Sequence, residues 1–308
     1  MRQERIVSEG SLIWPNFYVV GAAKAGTTSV WAYLKKHPQV FFPRVKEPGF
    51  FMSYPLPPEY ESERFQGFPE KYRRLFEGAV GYKAIGDATT GYLWDPKSAQ
   101  LIHEVCSDAK IVIMLRDPVE RAYSHYYMFA SVGLEKLPFL EAVNRNHAEL
   151  SNGNPQWNLF MYLEYGLYYE QVLRYIELFG RENVGIYLFD DLENDPRRVM
   201  TGICNHIGVD PALLAASEFS KVHNPGRVPR VKWLYDAARS AVGVNLRSKI
   251  LPRSAADWLR YNPIFYKREK PPRDERAAKF LQSIYAPDVS RLEELLGRKI
   301  PELRKTWL

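Results

Sequence analysis

The chain has 308 residues, 46% of them hydrophobic and 25% charged, a composition typical of a globular protein with a sizeable core. Its net charge of +6 favours anionic ligands but does not indicate nucleic acid, because no DNA- or RNA-binding motif accompanies it. Two cysteines in unrelated contexts, Cys106 and Cys204, predict neither a disulfide framework nor a metal cluster. The first fifteen residues contain no apolar signal-peptide region, and no apolar run is long enough to span a membrane. We therefore expect a cytoplasmic protein.

The first hundred residues read as one strand followed by a helix, a long irregular stretch and two short helices. In chain order these are the strand Phe17–Val20, the helix Thr28–Lys36, the Pro- and aromatic-rich loop 40–60 and the helices 70–76 and 95–105. The helix after the first strand is expected to stop before His37-Pro38, because the residue before proline disfavours helix.

The next hundred residues contain two further buried strands. The run KIVIMLRDP, residues 110–118, is continuously apolar from Ile111 to Leu115, as expected of a strand covered on both faces. Asp117 is suited to cap a following helix, with Pro118 at its first position. Residues 131–160 are expected to form a polar, irregular insertion. After it we predict a helix ended by Gly180, a strand in NVGIYLFDDL, a helix in DPRRVMTGICNHIGV, a basic loop at 219–230 and a mainly helical part at 230–308.

Strands and helices therefore alternate, which predicts an α/β fold with a central parallel sheet and helices on both faces. No linker divides the chain, so we expect one domain over residues 1–308.

The segment GAAKAGTTS, residues 21–29, follows the first strand and opens the first helix. Gly21 and Gly26 have the glycine spacing of the Walker P-loop, but Thr27 stands where the Walker lysine would be, and the lysine is Lys24 inside the loop. Backbone amides at a helix N-terminus and three hydroxyl side chains favour an anion here. The alternative is a glycine-rich turn with a surface lysine.

A second candidate anion site follows the strand 111–115. Arg116 ends that strand, and Ser124 lies seven residues after Asp117, on the same face of the predicted helix. A guanidinium and a hydroxyl group there suit one further phosphate. The alternatives are a structural ion pair for Arg116 and a packed helical position for Ser124.

Together, GAAKAGTTSVWAYLKKHP and LRDPVERAYSHY resemble the two cofactor signatures of sulfotransferases that use 3′-phosphoadenosine 5′-phosphosulfate (PAPS). The resemblance is to the carbohydrate type, which includes heparan sulfate N- and 3-O-sulfotransferases and bacterial relatives. It implies a P-loop-NTPase-like three-layer α/β fold and transfer of a sulfuryl group, without a metal, to a hydroxyl or less readily an amine of a carbohydrate or other small acceptor.

The resemblance also implies roles for particular residues. Lys24 would stabilise the oxygen from which the sulfuryl group departs, and Arg116 with Ser124 would bind the 3′-phosphate. The 5′-phosphate would be bound by the loop and helix start at Ala25, Gly26, Thr27, Thr28 and Ser29. The later block HNPGRVPR would close over the nucleotide with Gly226 and Arg227, and Tyr168 falls in a further family block whose role can be structural.

The acceptor must lose a proton, and Glu47 is the first candidate base. Its segment, RVKEPGFF, resembles a K-E-P-x-F-F block of 3-O-type enzymes whose glutamate is the proposed base. His125 is the second candidate, with a solvent-facing ring as its alternative. In DATTGYL, which resembles the family block E-K-[ST]-P-x-Y-F, Ala88 replaces the second lysine, and Asp87 is a candidate for binding an acceptor hydroxyl or assisting Glu47.

Two other functions remain open at this stage. A P-loop kinase or NTPase would need magnesium and a Walker lysine, which Thr27 argues against. A non-catalytic nucleotide- or polyanion-binding module would keep the basic loops but would not need Lys24 and Glu47 together. The acceptor itself is expected to contact loops 41–75 and 131–160, whose sequence does not identify it.

Overall fold

The structure, a computed structural model, describes residues 13–54, 65–131, 133–152, 160–214, 228–229, 266–267 and 273–307. Contacts divide the chain into two units. The first contains Met1–Arg116, Tyr168–His223 and Val289–Leu303, and the second contains Asp117–Leu167, Asn224–Asp288 and Arg304–Leu308. One domain over residues 1–308 stays a prediction.

The first unit is built on a parallel sheet of five strands. In chain order they are β1 (Phe17–Gly21), β2 (Val40–Phe41), β3 (Ala84–Asp87), β4 (Lys110–Leu115) and β5 (Val184–Leu188). Their order across the sheet is β2-β3-β1-β4-β5, and every pair is parallel. β1 lies at the centre and is buried along its whole length, as is β4 after its first residue. The predicted parallel sheet is therefore confirmed.

The helices of this unit connect and cover the strands. They are α1 (Thr27–Leu34), α2 (Pro69–Arg73), α3 (Ser98–Val105), α6 (Tyr168–Phe179), α7 (Phe189–Asn194) and α8 (Pro196–His206). The connection from β1 to β2 runs toward one edge of the sheet, and the connection from β3 to β4 runs toward the other. Because such crossovers are right-handed, α1 and α3 cover opposite faces. The sheet also has its topological switch point between β1 and β4.

The second unit is built around α4 (Pro118–Ala130) and α5 (Phe139–Ser151), and it contains the antiparallel pair β6 (Val228–Pro229) and β7 (Tyr266–Lys267). A last helix, α9, spans Glu275–Leu296. The core of this unit contains apolar side chains from α4, α5, the 160–163 segment and the first part of α9. In the part of the chain that the structure describes, no helix combines the length and apolar character needed to cross a bilayer.

The prediction of an irregular insertion at 131–160 was wrong, because Phe139–Ser151 form the regular helix α5. Its buried positions are Phe139, Ala142, Val143 and Asn146, which have helical spacing, but the last of them is polar and the remaining positions are mostly polar. The short strands β2 and β3 were not predicted. With two and four residues, they are too short for a readable period.

The prediction that Asp117 caps the helix after β4 is confirmed. Its carboxylate accepts hydrogen bonds from the backbone N–H groups of Val119 and Glu120, at 2.9 and 3.3 Å. It also accepts from the N–H and hydroxyl of Thr306, at 3.0 and 2.8 Å, and from the indole N–H of Trp307 at 3.3 Å. One carboxylate thus joins the start of α4 to the C-terminal segment of the chain within the second unit.

We predict that Asp117→Ala lowers the free energy of unfolding by roughly 2–3 kcal/mol, because it removes a helix cap and leaves partly buried donors without an acceptor. Urea unfolding measures the loss. Asp195→Ala is the matched control: Asp195 caps α8 through a single bond from the Arg198 N–H and is exposed, so about 1 kcal/mol is expected. Equal losses for the two variants would contradict the role assigned to the C-terminal contacts.

Candidate active site

The loop between β1 and α1 turns sharply at the carboxyl end of the central strand. Gly26 has φ +86°, and a Cβ there would lie 2.9 Å from the ring of Phe189, so both backbone conformation and space require glycine. The Ala22 N–H donates to the Met114 carbonyl of β4 at 2.7 Å, which ties the loop to the neighbouring strand. Thr28, Ser29 and the Lys24 side chain are partly exposed, whereas Thr27 and Ala25 are buried. The first amides of α1 have no intrahelical acceptor, so an anion is favoured at this end.

Arg116 lies against this loop. Its guanidinium donates to the Lys24 carbonyl at 3.2 Å and stacks over the Phe189 ring, 4.4 Å from the ring centre. Tyr168 is buried, and its hydroxyl donates to the Arg116 carbonyl at 2.9 Å, so this tyrosine fixes the end of β4. The structure therefore brings Lys24 and Arg116 together at the switch point between β1 and β4.

Glu47 lies on the loop after β2. Its side chain is 40% exposed, forms an ion pair with Lys46 and accepts from the Thr90 hydroxyl at 3.3 Å. Thr90 also reaches the first loop, because a Cβ on Gly21 would lie 3.1 Å from the Thr90 carbonyl oxygen. Thr90 thus lies between the candidate base and the candidate phosphate loop. Thr90 was not predicted as a site residue, although a pair of threonines after a glycine-aspartate strand end was a usable signal.

Asp87 ends β3 and is fully buried. It accepts hydrogen bonds from three hydroxyl groups, those of Tyr72 and Thr89 at 2.7 Å and that of Tyr92 at 2.9 Å. Burial raises the pKa of its carboxyl to about 6, against the lowering effect of the three hydroxyls. With its oxygens engaged and no exposed surface, Asp87 does not present a group to an acceptor, so its position favours assistance to Glu47.

Two residues have an unusual backbone. Among the residues that the structure describes, Lys24 (φ 72°) and Glu47 (φ 61°) are the non-glycine residues with positive φ. This conformation costs free energy in residues with a Cβ, and such strain concentrates at functional sites. The two residues are also those to which the family resemblance assigns chemistry.

Ser124 and His125 belong to α4 in the second unit, and both are buried. The His125 ring packs against Tyr162 and Tyr165, with ring centres 5.2 and 5.6 Å apart, and its Nδ1 lies 3.4 Å from the Arg121 guanidinium. The alternative of a solvent-facing ring was therefore wrong, because aromatic residues about 40 positions further along the chain cover it. The shared clamp of Arg116 and Ser124 on one phosphate stays a prediction.

Gly226 and Arg227 lie outside the described residues. Within the described ranges, no group of three or more His, Cys, Asp or Glu side chains is arranged to hold a metal ion. Both cysteines are buried, and neither forms a disulfide.

Comparison with known proteins identifies the family. Residues 15–224 match the model of the sulfotransferase domain. The membrane-associated sulfotransferase kil1 of Dictyostelium discoideum is 39% identical over 123 residues, which are 39% of this chain and 24% of that protein. Carbohydrate sulfotransferase 15 of Mus musculus is 26% identical over 267 residues, which are 68% of this chain and 48% of that protein. The chain therefore spans less than half the length of these two curated relatives.

A solved structure is similar over nearly the whole chain. The sulfotransferase from Alicyclobacillus acidocaldarius is 30% identical with a TM-score of 0.69, and the match covers 95% of this chain and 99% of that one. Sulfotransferases have the P-loop-NTPase-like fold, so the predicted fold class is confirmed. The family match extends through β1, its glycine loop, Glu47 and Arg116. This chain belongs to the sulfotransferase domain family.

Proposed function

We propose that the protein is a sulfotransferase that moves the sulfuryl group of PAPS to a hydroxyl, less readily an amine, of a carbohydrate or other small acceptor. The observation that carries the proposal is the backbone of Lys24 and Glu47, the two non-glycine residues with positive φ among those that the structure describes. Thr90 links their segments, because its hydroxyl donates to Glu47 and its carbonyl oxygen lies close to Gly21 at the start of the glycine loop. Family membership over residues 15–224 supports the reaction type.

The donor end of the site has the charges that a phosphosulfate needs. The start of α1 and the hydroxyls of Thr28 and Ser29 suit the 5′-phosphate, and Arg116, 3.2 Å from the Lys24 carbonyl, adds a second cation for the 3′-phosphate. The chemistry of these donors fits PAPS, since the start of α1 and the Arg116 guanidinium would each bind one of its two phosphate positions.

The transfer step breaks one sulfur–oxygen bond and makes another. The acceptor oxygen bonds to sulfur while the bond from sulfur to the bridging phosphate oxygen breaks. The Glu47 carboxylate takes the acceptor's proton, and the Lys24 ammonium stabilises the charge left on the phosphate oxygen. Lys24 and the α1 amides supply this stabilisation in our proposal, so the reaction needs no metal ion.

The proposal extends to the acceptor and the cellular location. The name of the mouse relative is carbohydrate sulfotransferase, which supports a sugar acceptor for this chain. Lys46, paired with Glu47, places a cation beside the candidate base. We retain the cytoplasm as the expected location and a carbohydrate as the expected acceptor.

The alternative functions differ in what they require. Membership of the sulfotransferase family and Thr27 at the Walker position both argue against a kinase or NTPase. A binding module without activity would leave the strained backbones of Lys24 and Glu47 without a purpose. An assay of sulfuryl transfer from radiolabelled PAPS tests the proposal against both alternative functions. It is run in EDTA with desulfated heparin, chondroitin and simple glycosides as acceptors.

We predict that Lys24→Ala lowers kcat for this transfer by roughly 10²–10³, the scale observed when one transition-state donor is removed. The thermal midpoint should be nearly unchanged, because the side chain is only partly buried. Lys36→Ala, an exposed lysine just after α1, is the matched control and should keep the wild-type rate. A near-normal kcat for Lys24→Ala would assign this lysine to binding alone.

We predict that Glu47→Gln lowers kcat by about 10²-fold or more while the affinity for 3′-phosphoadenosine 5′-phosphate stays the same, because glutamine keeps the shape but cannot take a proton. Glu77→Gln, at an exposed position, is the control for the charge change. His125→Ala tests the second candidate. Wild-type transfer by Glu47→Gln, together with a large loss in His125→Ala and an unchanged fold, would move the role of base to the histidine.

A further inference from the structure

Among the residues that the structure describes, hydroxyl groups alone bind the buried carboxylate of Asp87. One oxygen accepts from Thr89, and the other accepts from both Tyr72 and Tyr92. None of the ion pairs among the described residues includes Asp87, although the side chain has no exposed surface. A buried carboxylate without a cation is costly, so its retention calls for a purpose other than stability.

Two of these hydroxyls also hold the loop that carries Glu47. The Gly49 N–H donates to the Thr89 hydroxyl at 3.2 Å, and the Phe51 N–H is 3.4 Å from the Tyr92 hydroxyl. An ionised carboxylate can only accept, so each hydroxyl must turn its proton toward Asp87. The lone pairs of each hydroxyl oxygen then face a backbone amide. The charge on Asp87 therefore sets the direction of both hydrogen-bond chains, the one from the Gly49 amide through Thr89 and the one from the Phe51 amide through Tyr92.

The loop needs such anchors because of its backbone. Glu47 and Gly49 have φ values of 61° and 66° on either side of Pro48. The positive φ of Glu47 is unfavourable because glutamate has a Cβ, and this backbone conformation persists only where neighbouring contacts hold it. The anchored amides lie two and four residues after Glu47, and the Thr90 hydroxyl, next to Thr89 in the chain, donates to the Glu47 carboxylate.

We propose that Asp87 is a positioning residue for Glu47: its carboxylate orients the Thr89 and Tyr92 hydroxyls, which hold the Gly49 and Phe51 amides and so aim the Glu47 side chain. The proposal rests on the function proposed above, which gives Glu47 its task as base. Asp87 does not contact the acceptor and transfers no proton in the reaction.

The energetics of Asp87 distinguish this role from a purely structural one. Burial, opposed by its hydroxyl partners and reinforced by the charge of Glu47, raises its pKa to about 6. The other titratable groups around it are tyrosines: burial raises the pKa of Tyr72 and Tyr92, which bond to it, and that of Tyr175, on which its charge also acts. Since the folded-state pKa exceeds the unfolded value of about 3.9, stability due to this group falls as the pH rises from about 4 to about 6. Its ionised form therefore opposes folding at neutral pH.

The decisive variant is Asp87→Asn in the full chain. At pH 7.5 we expect an unchanged or higher thermal midpoint, unchanged affinity for 3′-phosphoadenosine 5′-phosphate, and a kcat lower by roughly 10-fold to 100-fold, the scale of a misplaced catalytic group. Amide hydrogen exchange of Gly49 and Phe51 should accelerate. Asp95→Asn is the matched control, because Asp95 is a buried carboxylate whose partners include the backbone N–H groups of Lys97 and Ser98, and it should lower the midpoint.

Thr89→Val and Thr89→Ser form a second pair that does not alter the carboxylate. Valine should reproduce the loss of kcat and of Gly49 protection, and serine should restore both. An Asp87→Asn variant that is less stable but has normal kcat, or that leaves exchange at Gly49 and Phe51 unchanged, would overturn the proposal. If the wild type transfers no sulfuryl group to any acceptor tested, the proposed function fails, and the exchange rates alone decide whether Asp87 fixes this loop.

Discussion

The parallel pairing of β1 with β3 on one side and β4 on the other is the constraint on which the candidate site depends. It brings three strand ends to one edge of the sheet, and each end supplies a different part: the glycine loop with Lys24, the Asp87–Thr90 segment, and Arg116. Backbone hydrogen bonds outside the strand pairing also hold the segments that follow these strands. The Leu93 N–H donates to the Val20 carbonyl at 2.8 Å, and the Ala22 N–H donates to the Met114 carbonyl at 2.7 Å.

Unfavourable features are concentrated at this edge. Within the described part of the chain, two non-glycine residues have positive φ, each costing on the order of 1–3 kcal/mol, and one buried carboxylate has no cation beside it. The rest of the first unit follows ordinary rules, with apolar strands at its centre and amphipathic helices around them. Sites that break local rules within a regular framework are where function is expected, because selection for stability alone would remove them.

The parts of the fold that could be predicted from sequence have strong local signals. The long apolar runs of β1 and β4, the glycine spacing before α1 and the cap at Asp117 are properties of neighbouring residues, and each was located to within two residues. β2 and β3 have no such signal, because they are short and owe their place in the sheet to pairing with each other and, for β3, with β1. α5 was missed because most of its positions outside the core and one of its buried positions are polar.

The same distinction between local signals and distant contacts applies to the residues of the candidate site. Lys24, Glu47 and Arg116 were identified from motifs, and the structure places Arg116 against the loop of Lys24 and Glu47 against Thr90. The roles of Thr89, Thr90 and Phe189 depend on contacts between segments 40 or more residues apart, for example from Gly49 to Thr89, which a single sequence does not encode locally. The burial of His125 is likewise determined by Tyr162 and Tyr165.

The central claim is that two separate anion sites at this edge bind one nucleotide that carries both a 5′- and a 3′-phosphate. Titration calorimetry of the full chain with 3′-phosphoadenosine 5′-phosphate and with AMP, both in EDTA, tests it most directly. We predict binding of the first nucleotide about 10-fold to 100-fold tighter, because charge-assisted hydrogen bonds to the extra phosphate contribute roughly 1.5–3 kcal/mol. Equal affinity for the two nucleotides, or binding that appears only when a metal ion is added, would contradict the account.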